Sequence, residues 1–124
     1  FIKGSPVQQR IRSAHDAGHE LILCQPTHYE VLRGLFKVNA TRKLEVFRSR
    51  LMPLFEWVPL VDADWEQAAR FWADTTSRGR QFSDIDLLVA AVASRLGGVI
   101  VSSDADFDAL ATPREDWRNP SPST

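Results

Sequence analysis

Ser83-Asp-Ile-Asp86-Leu-Leu-Val-Ala-Ala-Val-Ala93, then Gly97-Gly98-Val99-Ile-Val101-Ser-Ser-Asp104-Ala-Asp106, is the stretch on which the fold turns. Its first part is apolar around the whole helical circumference, which predicts a central, buried helix from Asp84 to Leu96. Ser83 suits the N-cap, and Gly97-Gly98 terminates the helix. Val99-Ile-Val101 is all β-branched and predicts a buried strand. Short apolar strands alternating with helices argue for a parallel-sheet α/β domain. Sites in such sheets lie beyond the carboxyl ends of the strands, where Asp104 falls.

Working outward, Pro6 to Ala17 reads as a helix with Val7, Ile11 and Ala14 on one face, ended by Gly18. Glu20 to Cys24 has strand length. A helix from Thr27 to about Val38 presents Tyr29, Leu32, Leu35 and Phe36 to a core. Thr41 opens another, to about Phe55, with Leu44, Phe47, Leu51 and Leu54 in register. Trp57 to Val61 predicts a further strand. Asp62 or Asp64 caps a helix to about Ser77, with Trp65, Ala68, Ala69 and Trp72 along its buried stripe. Asp104 to Ala111 is a short helix closed by Pro113, and residues 118–124 form a Pro/Ser tail expected to be disordered.

Thr27-x-x-Glu30, Ser83-x-x-Asp86 and Ser103-x-x-Asp106 share one spacing: a hydroxyl suited to the N-cap and an acid three places later. Singly, each acid has a structural explanation in the macrodipole and the capping box. Asp86 weakens that explanation, because it enters an all-apolar helix where an uncompensated charge is costly. If Glu30, Asp86, Asp104 and Asp106 converge, their mutual repulsion calls for a cation, and hard oxygen donors favour Mg2+ or Mn2+. Asp104, Asp106, Asp108 and Glu115 also match EF-hand positions, but Ala109 stands where the turn needs Gly and Pro113 interrupts. An aspartyl-phosphate reading of Asp84-Ile-Asp86 fails because no strand precedes it.

The 124 residues carry a net charge of −1, so any nucleic-acid surface must come from local clustering. One cysteine, Cys24, excludes an internal disulfide and multi-cysteine zinc sites, and its apolar surroundings assign it to the core. His15, His19 and His28 lack metal-ligand spacing, and His28 is expected at a solvent-exposed helix start. No apolar run nears the ~18 residues of a membrane span and no secretory signal opens the chain, so a cytoplasmic protein without membrane association is expected.

Tyr29-Glu30-Val-Leu-Arg-Gly34, Asp86-Leu-Leu-Val-Ala-Ala91 and Val101-Ser-Ser-Asp104-Ala-Asp106-Phe107, in this order and at these separations, resemble the PIN-domain ribonucleases. The likeness is strongest to VapC-type toxins of bacterial toxin–antitoxin pairs. It implies one PIN-like α/β nuclease domain over residues 1–117, with a central parallel sheet flanked by helices. Glu30, Asp86 and Asp104 would be the catalytic, metal-holding acids, with Asp106 an additional or water-bridged ligand and Ser102 near the metal. The family begins with a strand ending in an Asp-Thr-Asn-like motif, and Phe1-Ile-Lys-Gly4 looks like the segment just downstream of that motif. That strand and its Asp are therefore expected to be missing here.

The resemblance further implies a Mg2+-dependent endoribonuclease that cleaves RNA, tRNA included among its candidate targets, by metal-activated water, leaving a 3′-hydroxyl and a 5′-phosphate. A cognate antitoxin and a homodimer would be its protein partners. The alternatives are a catalytically silent RNA- or antitoxin-binding protein, and a nuclease of RNA processing. Arg78 and Arg80, in the loop entering the Asp86 helix, are candidates for substrate phosphate or an acidic antitoxin tail. Arg33, Lys37, Arg42, Lys43, Arg48 and Arg50 face one acid, Glu45, and read equally as a solvated face or as a nucleic-acid or partner surface. Trp65 and Trp72 read as core packing or a dimer contact.

Overall fold

The computed structural model describes residues 6–110 and 112–118. Phe1-Ile-Lys-Gly4 and the tail beyond residue 118 lie outside the described residues. The chain forms two compact units, one running to Val58 and resuming at Trp117, the other spanning Pro59–Asp116.

The first unit begins with α1 (Pro6–Asp16) and β1 (Ile22–Cys24). Next, α2 (Gln25–Lys37) starts two residues before Thr27, because Pro26 in its first turn has a helical φ built in and gives up only an N–H that would be orphaned there. Thr27 is consequently inside the helix rather than its cap, and its hydroxyl lies 3.3 Å from the Cys24 thiol.

The helix expected from Thr41 is α3 (Thr41–Val46), which widens into a π-helical turn over Phe47–Leu51 and tightens to a 3-10 turn at Met52–Leu54. The Met52 N–H donates to the Phe47 carbonyl, an i to i+5 bond. Pro53, which has no N–H to continue an α ladder, follows directly. This crossover returns the chain to β2 (Glu56–Val58), which pairs parallel with β1 in the register Ile22↔Glu56, Leu23↔Trp57, Cys24↔Val58. Pro59 then ends the strand expected to reach Val61.

The core here is Leu23, Leu35, Phe47 and Leu51, backed by Ile11, Leu32 and Leu44. Tyr29 and Phe36, expected to face it, are exposed instead. Arginine guanidinium groups cover their rings, Arg33 at 5.2 Å from Tyr29 and Arg48 at 5.9 Å from Phe36. His28 departs from expectation in the opposite sense. It is half-buried, 6.1 Å from the Phe47 ring and edge-on to Trp57 at 5.0 Å.

The second unit is organised around α5 (Asp84–Leu96), whose Leu87, Leu88, Ala90, Ala91 and Val92 are all buried. The Ser83 hydroxyl accepts from the Asp86 N–H at 3.1 Å, and Gly97 turns left-handed at φ 64°. The Gly98 N–H then reaches back to the Ala93 carbonyl, closing a Schellman-type end. Packed on α5 is α4 (Asp62–Ser77). Its cap is Val61, whose N–H is accepted by Asp64 Oδ2 at 3.0 Å. Trp65 and Trp72 on α4 are exposed at 58% and 55%, so they are not the buried stripe that helical periodicity suggested.

β3 (Ile100–Val101) buries Ile100 alone, while Val99 and Val101 point outward, as the two-residue period of a strand requires. It pairs parallel with β4 (Arg114–Glu115), a strand without any apolar signal. The α/β class with parallel pairing thus holds, divided among the described residues into two two-stranded ladders.

Candidate active site

Three of the four acids singled out in the sequence lie in the second unit and interact there. Asp86 sits in the first turn of α5, half-buried against the aliphatic core. Burial pushes its carboxyl above the ordinary range. The Ser83 hydroxyl works against that shift, and the charges of Asp104 and Asp106 reinforce it.

Those two acids are held by the turn that leaves β3. The Ser102 hydroxyl accepts from the Asp104 N–H at 3.1 Å, and Asp104 Oδ1 accepts from the Asp106 N–H at 2.9 Å. Asp104, not Ser103, is therefore the cap of the short 3-10 helix Ala105–Ala109. A residue that sequence reasoning missed anchors the same turn. Arg114, on β4, donates to Asp108 at 2.9 and 3.2 Å and to the Ser102 carbonyl at 3.0 Å. Its basic side chain after Pro113 was the one available signal.

Asp104 and Asp106, both exposed, thus lie near enough for their charges to act on the half-buried carboxyl of Asp86. Among the described residues, no three His, Cys, Asp or Glu side chains close around one point tightly enough to form a complete cage. Mg2+ does not ask for one. It dehydrates reluctantly and is typically held by one or two carboxylates, water and substrate phosphate. Oxygen-only donors of like charge suit such an ion.

Glu30 belongs to the first unit, where it is exposed on the second turn of α2 with Arg33 at 3.8 Å. Arg78 is occupied, donating to Asp74 at 2.7 Å and to the Ala109 carbonyl at 3.4 Å. Arg80 is exposed and takes part in no ion pair among the described residues.

The second unit also holds a charge pair that the sequence concealed. Asp64 is only 1% exposed and receives two bonds from Arg95, at 2.8 and 3.1 Å. Burial pushes its carboxyl up, but the Arg95 guanidinium and the Val61 N–H more than offset that, leaving it below the usual range. This pair is structural: it ties the start of α4 to the end of α5.

The chain matches the PIN domain family over residues 1–113 and belongs to it. It is 34% identical over 93 residues to the ribonuclease VapC11 of Mycobacterium tuberculosis and, equally, to a VapC ribonuclease of Mycobacterium bovis. Each match covers 73% of this chain and 66% of the relative, just under two thirds of its length. Among solved structures, VapBC2 from Rickettsia felis bound to a promoter DNA fragment is similar at TM-score 0.71 and 16% identity, covering 87% of this chain and 82% of that one. FitAcB from Neisseria gonorrhoeae is similar at TM-score 0.67 and 19% identity, covering 79% and 76%. No helix among the described residues is long and apolar enough to cross a membrane.

Proposed function

We propose that this chain is a divalent-metal-dependent endoribonuclease of the VapC type, the toxin of a toxin–antitoxin pair. The observation that carries the reading is the half-buried Asp86, whose carboxyl is pushed up by burial and by Asp104 and Asp106. Asp86 and Asp104 would hold Mg2+ or Mn2+, with Asp106 reaching it through water. Glu30 keeps, as part of the proposal, the ligand role that its sequence position suggests. When bound, such an ion polarises a phosphate oxygen and makes a water molecule a competent nucleophile near neutral pH.

The chain's own groups do the rest. The acids around the ion also offer the attacking water a proton acceptor. The Ser102 hydroxyl and Arg114 hold the Asp104 turn in place. Arg80 is free to meet a phosphate of the substrate. No side chain is needed as a nucleophile. The 34%-identical relatives are named ribonucleases, and the similar folds come from VapBC and FitAB assemblies, which supports an antitoxin as the protein partner. The exposed Trp65 and Trp72 are available for a homodimer contact.

Incubating the purified protein with RNA and Mg2+ tests the reading. The wild type should cleave and Asp86→Asn should not, with a loss well beyond the roughly 10–100-fold typical of removing an outer-shell partner. Cleavage retained by a folded Asp86→Asn protein would refute the role given to Asp86. A second reading, a silent RNA- or antitoxin-binding protein, is favoured by one observation: no three-ligand cage closes among the described residues. Metal-dependent cleavage by the wild type eliminates it.

A further inference from the structure

Arg42, Glu45, Val46, Ser49 and Arg50 line a shallow depression of about 280 Å³ on the first unit. Their spacing of three and four residues keeps them on one helical face, across the junction where α3 becomes the π turn. That turn directs Phe47 and Leu51 into the core and leaves Arg48, Ser49 and Arg50 outside. π turns recur at functional sites.

Of the six bases between Arg33 and Arg50, Arg33 is engaged by Glu30 and Tyr29, and Arg48 lies over Phe36. Arg42, Lys43 and Arg50 are exposed and form no ion pair among the described residues. Two arginines at the rims outweigh the single Glu45 between them.

We infer that this depression is a second RNA-contact site, in which Arg42 and Arg50 each take a backbone phosphate away from the scissile bond. The inference rests on the ribonuclease reading and adds to it a surface that grips substrate. Arg50 stands eight positions beyond Arg42, roughly 12 Å along a helix, so they meet two different phosphates rather than chelating one. A guanidinium fork matches phosphate oxygens in a bidentate manner. Val46 is the depression's one apolar residue, which offers a peptide partner nothing to anchor in. RNA needs no such anchor, because its affinity comes chiefly from phosphate neutralisation.

The test measures binding of a fluorescent single-stranded RNA in chelator, where cleavage plays no part, across a salt series. Arg42→Gln combined with Arg50→Gln should flatten the dependence of log affinity on log salt by about 1.4. Between 50 and 200 mM salt the variant should therefore lose about sevenfold less affinity than wild type. Arg42→Lys with Arg50→Lys, which keeps the charge, should retain the wild-type slope and shows that the fold tolerates change there.

An unchanged slope in the glutamine variant, with wild type still binding RNA, overturns the second site and leaves the nuclease reading intact. Poly-glutamate binding lost in that variant while the RNA slope holds overturns it in favour of an acidic peptide partner. If wild type cleaves no RNA with Mg2+ and binds none at low salt, the underlying reading fails and takes this site with it.

Discussion

The two units handle charge in opposite ways. In the second, ionised groups are drawn against an aliphatic core: Asp64 is almost wholly buried under Arg95, and Asp86 is half-buried within reach of two more acids. In the first, bases are spread over an exposed helical surface or laid across aromatic rings. Charge near a core interacts strongly because water screens it poorly, whereas exposed charge is weak singly and acts by number. The second unit therefore carries its strongest charge interactions against its core, and the first carries exposed bases on its helical surface.

The largest expected effect breaks the buried pair. Arg95→Met leaves Asp64 uncompensated and should destabilise the protein by about 3 kcal/mol in urea unfolding, near the lower end for such pairs because Arg95 is partly exposed. Asp64 is held below its unfolded value, so the pair's contribution is present above about pH 4 and fades as pH falls through the lowered folded value. The deficit of the variant should shrink correspondingly in acid. A pH-independent deficit would mean that packing, not charge, is what Arg95 supplies.

Next in size, Arg114→Gln frees the turn bearing Asp104 and should weaken Mn2+ binding about tenfold, measured calorimetrically. Unaltered affinity would detach Arg114 from the site. In the first unit, His28→Ala should cost about 1 kcal/mol through lost ring contacts with Phe47 and Trp57, without changing Mn2+ affinity. The smallest effect is that of Arg80→Ala, which should flatten the salt dependence of RNA affinity by about 0.7. A larger change would mean that Arg80 does more than meet one phosphate.

Local pattern foretold much of the second unit. The all-apolar run after Asp86, the Ser83 cap and the Gly97-Gly98 stop are each decided within a few residues, and α5 formed as they predicted. Asp104 and Asp106 were legible as candidates because they follow a β-branched strand. Three features were not legible, for different reasons. The Asp64–Arg95 pair joins residues 31 apart, beyond any local signal. β4 is a polar Arg-Glu dipeptide that owes its conformation to its neighbour. Helical periodicity also marks a stripe without saying what covers it. Tyr29, Phe36, Trp65 and Trp72 were in register for burial, yet lie exposed, two of them beneath arginines.

Thermal unfolding of wild type and Asp86→Asn, with and without Mn2+, is the most direct trial of the proposed carboxylate site. Without the ion, the variant should melt higher, since it sheds a half-buried charge repelled by Asp104 and Asp106. Added Mn2+ should raise the wild-type midpoint by mass action and leave the variant nearly unmoved, reversing the order. Equal shifts in the two proteins, or none in the wild type, would contradict a cation held at Asp86.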